Sequence, residues 1–418
     1  MAGMQQPPLT PTGQPLGGPV PGAPVPGAPV PGAPPKATPL GTSHASIVRS
    51  QFRKHRLAMF SLYLLGFLYA GALFADFIAP YGEGQSFRRG EMNRSYAPPT
   101  TIYWTDPETG RLTRPFVYPV VPSRDVQTLR VTYVEDRASP TPIRFFVQGP
   151  AYVPPPLSLV PVGIRNQLGW NWRVSTHLFG VEAPATIYLW GADQFGRDVF
   201  GRILFGARIS LTIGIMASLI ALVLGLLLGG IAGYLGGVLD DVLMRLVEVF
   251  ATIPSLFLLL ALRALFPIEI NPTAIFVVLV TILGFISWGP IARVVRGLAL
   301  SLREEEYVQA ARALGARQAR VLLRHVLPGT AAYAIVAFSL LIPSFILTEA
   351  GLSFLGLGIS EPASSWGLML AVAQEGGIQT FTQRPWMLLP GLFIFIAVLA
   401  FNFLGDGLRD ALDPKLRT

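Results

Sequence analysis

"REEEYVQAARALGARQARVLLRHVLPG" (Arg303–Gly329) carries eight formal charges and one histidine, and long apolar runs lie on both sides of it. A charged side chain at the centre of a bilayer costs roughly 2.5–3.5 kcal/mol on insertion scales, so burying this segment in lipid would cost on the order of tens of kcal/mol. The segment therefore lies outside the hydrocarbon, and still it reads as helix. Ala, Leu, Arg, Glu and Gln dominate it, all strong helix formers. Three glutamates, Glu304, Glu305 and Glu306, stand at its start, where they suit the helix dipole. Tyr307, Ala310, Ala311 and Leu314 fall at i, i+3, i+4 and i+7 and form one narrow face with room for close approach. Gly315 ends this helix, a second apolar stripe follows at Val321, Leu322 and Val326, and Pro328 stops it. Helix, glycine corner, second helix and proline stop suit a docking element. On shape alone, a solvated linker between two spans is equally open.

The wider composition agrees with a membrane protein. Of 418 residues, 51% are hydrophobic and only 13% charged, where a soluble chain of this size is nearer a quarter charged. There is no cysteine, which excludes disulfides, thiolate nucleophiles and cysteine-based metal sites. The net charge of +8 fits basic cytoplasmic loops, and no aromatic-basic interleaving points to nucleic acid.

Residues 1–48 hold the period-five repeat "PVPGAPVPGAPVPGAPP" and read as a disordered Pro/Gly-rich cytoplasmic tail. "RSQFRKHR" (Arg49–Arg56) precedes an uncharged run from Leu57 to Ala75, so 49–79 is the first transmembrane helix, with its basic flank inside. Residues 80–190 are polar and Pro-rich, with strand-like "TLRVTYVED" and "PIRFFVQG", and read as an extracytoplasmic domain. Five further apolar runs follow in 191–418, within 209–239, 246–265, 270–292, 326–348 and 386–405. Six spans place both termini in the cytoplasm. They place 293–325 there too, where seven arginines face three glutamates.

With these residues in view, "YVQAARALGARQARVLLRHVLP" resembles the conserved EAA loop of ABC importer permeases. Ala310, Ala311, Gly315, Leu327 and Pro328 match it, Gln309 stands where the family has Glu, and His325 where it has Ile. "LWGADQFGRDVFGRILFGARISLTIG" (from Leu189), "GGVLDDVLMRLVEVFATIPSL", "EAGLSFLGLGISEPASSWGLML" and "FNFLGDGLRDALDP" are similar to the second, C-type permease subunit of the dipeptide/oligopeptide (peptide/nickel) importers. The resemblance covers 49–79 and 177–418 in collinear order. The insert at 80–176 is longer than in the typical member. The resemblance implies an all-α polytopic membrane protein of the type I importer permease fold, with six transmembrane helices and some β-structure in the insert. It implies a multi-pass protein of the bacterial cytoplasmic (inner) membrane. It also implies a second permease subunit as heterodimer partner, one or two cytoplasmic ABC ATPases, and an extracytoplasmic solute-binding protein that delivers peptides. Importers of nickel or oligosaccharide share this architecture. A secondary transporter would show an internal repeat, and none is visible. A membrane scaffold would leave the loop without a role.

The resemblance assigns ATPase docking to 303–328, with Glu306, Tyr307, Gln309, Ala310, Ala311, Leu314, Gly315 and Pro328 as the contact set. No ATP hydrolysis is expected in this chain, because the sequence has no G-x-x-x-x-G-K-[ST] and no Gly-Lys pair, and no catalytic residue, metal ligand or cofactor is expected, because the four histidines (His44, His55, His177 and His325) are scattered and no H-E-x-x-H occurs. ATP and Mg would sit on the partner ATPases. "RDVFGRILFGAR" (Arg197–Arg208) reads as an amphipathic stretch lying in the membrane interface, with Asp193, Arg197 and Asp198 in structural roles at the outer mouth. Glu349, a carboxylate within the fifth span, is a candidate for lining or gating the pathway.

Overall fold

The computed structural model describes residues 44–88, 93–105, 110–124, 131–155, 157, 166–170, 172–183, 185–265 and 271–412. The tail expected over 1–48 falls almost wholly outside them. Met1–Ile47 and Val48–Thr418 are separate units, and the second holds the long apolar helices and the sheets.

Helix α1 (His44–Lys54) stops at His55, whose side chain accepts from the Ala58 amide and caps α2 (Arg56–Leu73). The first span is thus the 18-residue α2, shorter than the stretch 49–79 expected from the sequence. It is followed by a single turn, α3 (Ala75–Ile78). The insert then forms three small antiparallel units. Strands β1 (Tyr103–Thr105), β2 (Leu112–Val117) and β5 (Thr141–Pro142) make one sheet in the order β1-β2-β5. Strands β3 (Val120–Arg124) and β4 (Val131–Glu135) pair, with Val121 opposite Val134. Strands β6 (Arg144–Tyr152) and β7 (Val174–Gly180) pair across an irregular register between Gln148 and Tyr152. Buried His177 on β7 ties the insert to α3. Its Nδ1 lies 2.8 Å from the Ala79 carbonyl, and its Nε2 lies 3.1 Å from the Pro150 carbonyl.

The remaining helices are α4 (Val199–Leu235), α5 (Gly237–Thr252), α6 (Ser255–Ala264), α7 (Pro272–Ile286), α8 (Trp288–Leu302), α9 (Glu306–Ala313), α10 (Gln318–Val321), α11 (Ala331–Phe354), α12 (Trp366–Glu375), α13 (Ile378–Gln383) and α14 (Leu389–Leu412). Among the described residues, five helical stretches are long and apolar enough to cross a membrane: Arg56–Leu73, Val199–Leu235, Pro272–Leu302, Gln318–Phe354 and Pro385–Leu412. The third span expected over 246–265 is instead divided between α5 and α6. Ile253 is extended (ψ 123°) before Pro254, because a proline pushes the preceding residue out of helical conformation. The 37 residues of α4 extend about 55 Å, well beyond a hydrocarbon core of about 30 Å, so part of this helix stands outside the lipid.

The core has two main bodies. In one, α4, α7, α8 and α11 meet around Ile213, Ala217, Ile275, Leu283, Ile291 and Phe345. In the other, α2, α4, α11 and α14 meet around Leu65, Leu211, Ile346, Phe401 and the fully buried Trp366. Both lie against α4. Helix α4 meets α8 along Gly225, Gly229 and Gly233, spaced four apart. An added Cβ at Gly229 would run into the Ala292 carbonyl oxygen and lie 2.7 Å from its Cα. Only glycine permits this approach, the small-xxx-small geometry of membrane helix pairs.

Candidate functional site

The charged segment at 303–329 is anchored from below. Of α9, only Val308 is fully buried. It sits with Val321, Leu322, Val326, Ala299 of α8 and Tyr234 of α4 in one small apolar cluster. Arg312 reaches back to α4, with its Nε donating to the Tyr234 hydroxyl at 3.2 Å and its guanidinium 4.7 Å from that ring. Arg303 Nη1 donates to the Gly233 carbonyl at 3.4 Å. Gly315 takes a left-handed φ of +78°, with nothing near its absent Cβ, and turns the chain into α10. A π-helical turn (Leu322–Val326) and a 3-10 turn (Leu327–Thr330) then carry the backbone into α11.

The predicted set divides accordingly. Tyr307, Gln309, Ala310, Leu314, Gly315 and Pro328 are exposed and Ala311 is half-buried. Leu314 is 88% exposed, an apolar side chain that touches little of its own chain. Tyr307 leans on the last turn, its hydroxyl donating to the His325 carbonyl at 3.5 Å. Gln309 is held by the Arg303 carbonyl, to which its amide donates at 3.0 Å, and Glu306 opens α9. The anchor residues Val308, Tyr234 and Arg312 were not legible in the sequence. Tyr234 lies 78 residues from Arg312, and no periodicity connects them.

An ionic cluster, buried except for Glu361, occupies the other end of α4. Asp193 Oδ2 accepts from Arg197 Nε (2.8 Å) and Arg202 Nη1 (2.5 Å). The same two arginines donate to Glu361: Arg197 through Nη1 and through Nη2 (2.8 Å), Arg202 through Nη2 (3.2 Å). Arg202 Nε also donates to Ser364 Oγ at 3.1 Å, and the Ser364 amide donates to Glu83 Oε1 at 2.7 Å. Burial pushes the Glu83 carboxyl up from its usual range. Asp198 caps α4 by accepting from the Gly201 amide at 2.8 Å. Burial pushes its carboxyl up to about 7, against the pull of that amide. The expectation that 197–208 lies flat in the interface is therefore corrected. These residues enter the first turns of α4, and Arg202 is 2% exposed because buried Asp193 neutralises it, helped by Glu361, which reaches it from the surface. Its partner Glu361 is 159 residues away, so sequence spacing could not reveal the pair.

Glu349 lies at this same end, fully buried on α11. Ser210 Oγ donates to its Oε2 at 3.1 Å and Ser353 Oγ to its Oε1 at 2.7 Å. Each hydroxyl in turn accepts a backbone amide at 3.2 Å, from Trp366 and Ile359 respectively. Glu349 thus joins α4, α11 and the start of α12, and it is sealed from every surface of this chain. It is not brought near the loop at 303–328. Among the described residues, no group of three or more His, Asp or Glu is placed to hold a metal ion.

Residues 221–418 match the family described as binding-protein-dependent transport system inner membrane component. Residues 43–99 match the N-terminal TM domain of oligopeptide transport permease C. The oligopeptide transport system permease protein OppC of Salmonella typhimurium is 47% identical over 234 residues, 56% of this chain and 74% of that protein. This chain belongs to the C-type oligopeptide ABC permease family. OppC of Bacillus subtilis is 40% identical over 247 residues, 58% of this permease and 77% of that protein. Among solved structures, the inward-facing methionine ABC transporter MetNI matches at 20% identity and a TM-score of 0.39, over 50% of this permease and 96% of that chain. The two family matches bracket the permease's sheet-bearing insert, which lies between 99 and 221 together with Asp193, Arg197 and Arg202 of the ionic cluster.

Proposed function

We propose that this permease forms half of the translocation pathway of an ATP-driven importer of peptides, with the loop at 303–328 as the seat of a cytoplasmic ATPase. In this reading a second permease completes the pathway, and an extracytoplasmic binding protein delivers the solute on the insert side. ATP and Mg bind on the ATPase partners. Both termini are cytoplasmic, and the membrane is the bacterial inner membrane. Peptide as cargo is supported by the names of the relatives, which are oligopeptide permeases.

The observation that carries the coupling role is the division of α9. Val308 is fixed under α4 and α8 while Leu314, Tyr307 and Ala310 face outward. A partner that seats on the outer face pushes through Val308, Arg312 and Arg303 onto α4 and α8, and through 322–330 onto α11. Nucleotide-driven closure of the ATPases then becomes rigid-body movement of spans. Glu349 contributes to gating as the joint of α4, α11 and α12, not by facing solute.

The test is affinity purification of the tagged full chain in mild detergent, with mass spectrometry of what accompanies it. A second permease and ATPase subunits are expected. Leu314→Arg alters a side chain that is 88% exposed, so it leaves the fold intact and should release the ATPases alone. Recovery of the wild-type chain by itself, or full ATPase retention by Leu314→Arg, refutes the docking role.

A further inference from the structure

A cleft of about 680 Å³ opens beside the ionic cluster, between residues 93–98 and β4 on one wall and 379–386 on the other. Its size falls within the range of ligand sites, roughly 300–1,000 Å³. Among the described residues that line it, Arg384 is the one cation. The Arg384 guanidinium lies 3.5 Å from the centroid of the Tyr96 ring. Among the described residues this guanidinium makes no hydrogen bond and no ion pair. Among the described residues that line the cleft, none carries a carboxylate.

The supports are held firmly. Tyr96 has a left-handed φ of 60°, uncommon for a residue with a side chain, and its amide donates to the Asp193 carbonyl at 2.8 Å. Trp386 is fixed by its indole N–H, which donates to the Ala192 carbonyl at 3.1 Å. Tyr133 donates to the Ser95 carbonyl at 2.6 Å. Gln379 and Gln383 are exposed on the opposite wall, each with an amide that both donates and accepts.

We propose that this cleft receives the C-terminal carboxylate of a peptide, with Arg384 as its partner and the glutamine amides pairing with the adjoining peptide backbone. The assignment rests on the peptide-importer function proposed for the chain and deepens it. A guanidinium stacked on an aromatic ring is pre-aligned as a fork for a carboxylate, so little rotamer freedom is lost when the carboxylate arrives. Exposed glutamine amides suit a peptide bond, and aromatic walls tolerate varied side chains. Both features fit a site that must accept many sequences.

The experiment titrates the intact permease in nanodiscs with trialanine, followed by saturation-transfer NMR. Three forms are compared: the free acid, the C-terminal amide, and a peptide with an amidated end and an internal glutamate. The free acid should bind on the order of tenfold more tightly than the amide, the scale of one charge-assisted hydrogen bond. Arg384→Gln should bring the free acid down to the level of the amide and leave the amide unchanged. Tyr96→Leu, which removes the stack but keeps the cation, should weaken the acid alone. Equal binding of acid and amide overturns the proposal, as does an acid preference that survives Arg384→Gln, or no binding of either form at about 10 mM. If the internal glutamate substitutes fully for the terminal carboxylate, the cleft receives acidic side chains of a docking protein, and the C-terminal assignment falls. None of these results depends on whether ATPases co-purify, so failure of the cleft and failure of the importer reading are separable.

Discussion

Replacing Gly229 by alanine tests whether α4 and α8 move as one body. An added Cβ there lies 2.7 Å from the Ala292 Cα and 2.9 Å from its carbonyl carbon, where ordinary contact begins at 3.4 Å. These are backbone atoms, so no side chain can swing aside. Clearing the nearest clash, with the Ala292 carbonyl oxygen, requires the two helices to separate locally by about 1 Å, and a gap of that size forfeits up to about half of each neighbouring van der Waals contact. Overpacking of this kind costs about 1–3 kcal/mol. Alanine also gains about 1 kcal/mol over glycine in helix propensity. The control is Gly297→Ala, on α8 itself, where nothing lies within 4 Å of the new Cβ. Both variants carry the propensity gain, so their difference isolates the packing penalty. Unfolding in mixed micelles, driven by a denaturing detergent and followed by tryptophan fluorescence, should place Gly229→Ala about 1–3 kcal/mol below Gly297→Ala. Because Val308 and Arg303 hang the loop from these helices, the same variant should lower transport-coupled ATP hydrolysis in the assembled complex. Equal unfolding midpoints for the two alanine variants would refute the close-packed reading of this interface.

Three further outcomes rest on the same geometry. Arg202→Ala leaves Asp193 and Glu361 with one buried cation in place of two, and should destabilise by about 3–5 kcal/mol in the same unfolding assay; a loss below about 1 kcal/mol contradicts the buried network. Asp198 holds a proton more tightly folded than unfolded, so its contribution falls as pH rises from about 4 towards 7 and is flat above. Asp198→Asn, which keeps the cap acceptor, should therefore raise thermal stability relative to wild type at pH 8 and not at pH 4, and an equal effect at both pH values contradicts the assignment. Val308→Ala removes a fully buried anchor at about 1–2 kcal/mol and should speed tryptic cleavage at Arg317 and Arg320, while Leu314→Ala, at an exposed site, should leave cleavage unchanged.

The membrane class, the approximate position of five spans and the helix-glycine-helix form of the loop are legible from composition and periodicity, since lipid imposes length and apolarity on each span locally. The Gly225, Gly229, Gly233 spacing was present in the sequence as a small-residue signal for a close helix pair. The division of the third span is a local effect of Pro254, visible in principle and outweighed by the apolar run around it. What only the tertiary structure decided is pairing at a distance. Val308 and not the Tyr307 face turns inward, because Tyr234 and Ala299 wait beneath it. Arg202 enters the protein, and does not lie at a lipid surface, because Glu361 arrives on a different loop to neutralise it. Arg384 and Tyr96 form one site from segments far apart in the chain. Burial patterns repeat along a chain and can be read from it, whereas a charge or an aromatic ring acquires its role from the single partner that folding brings to it.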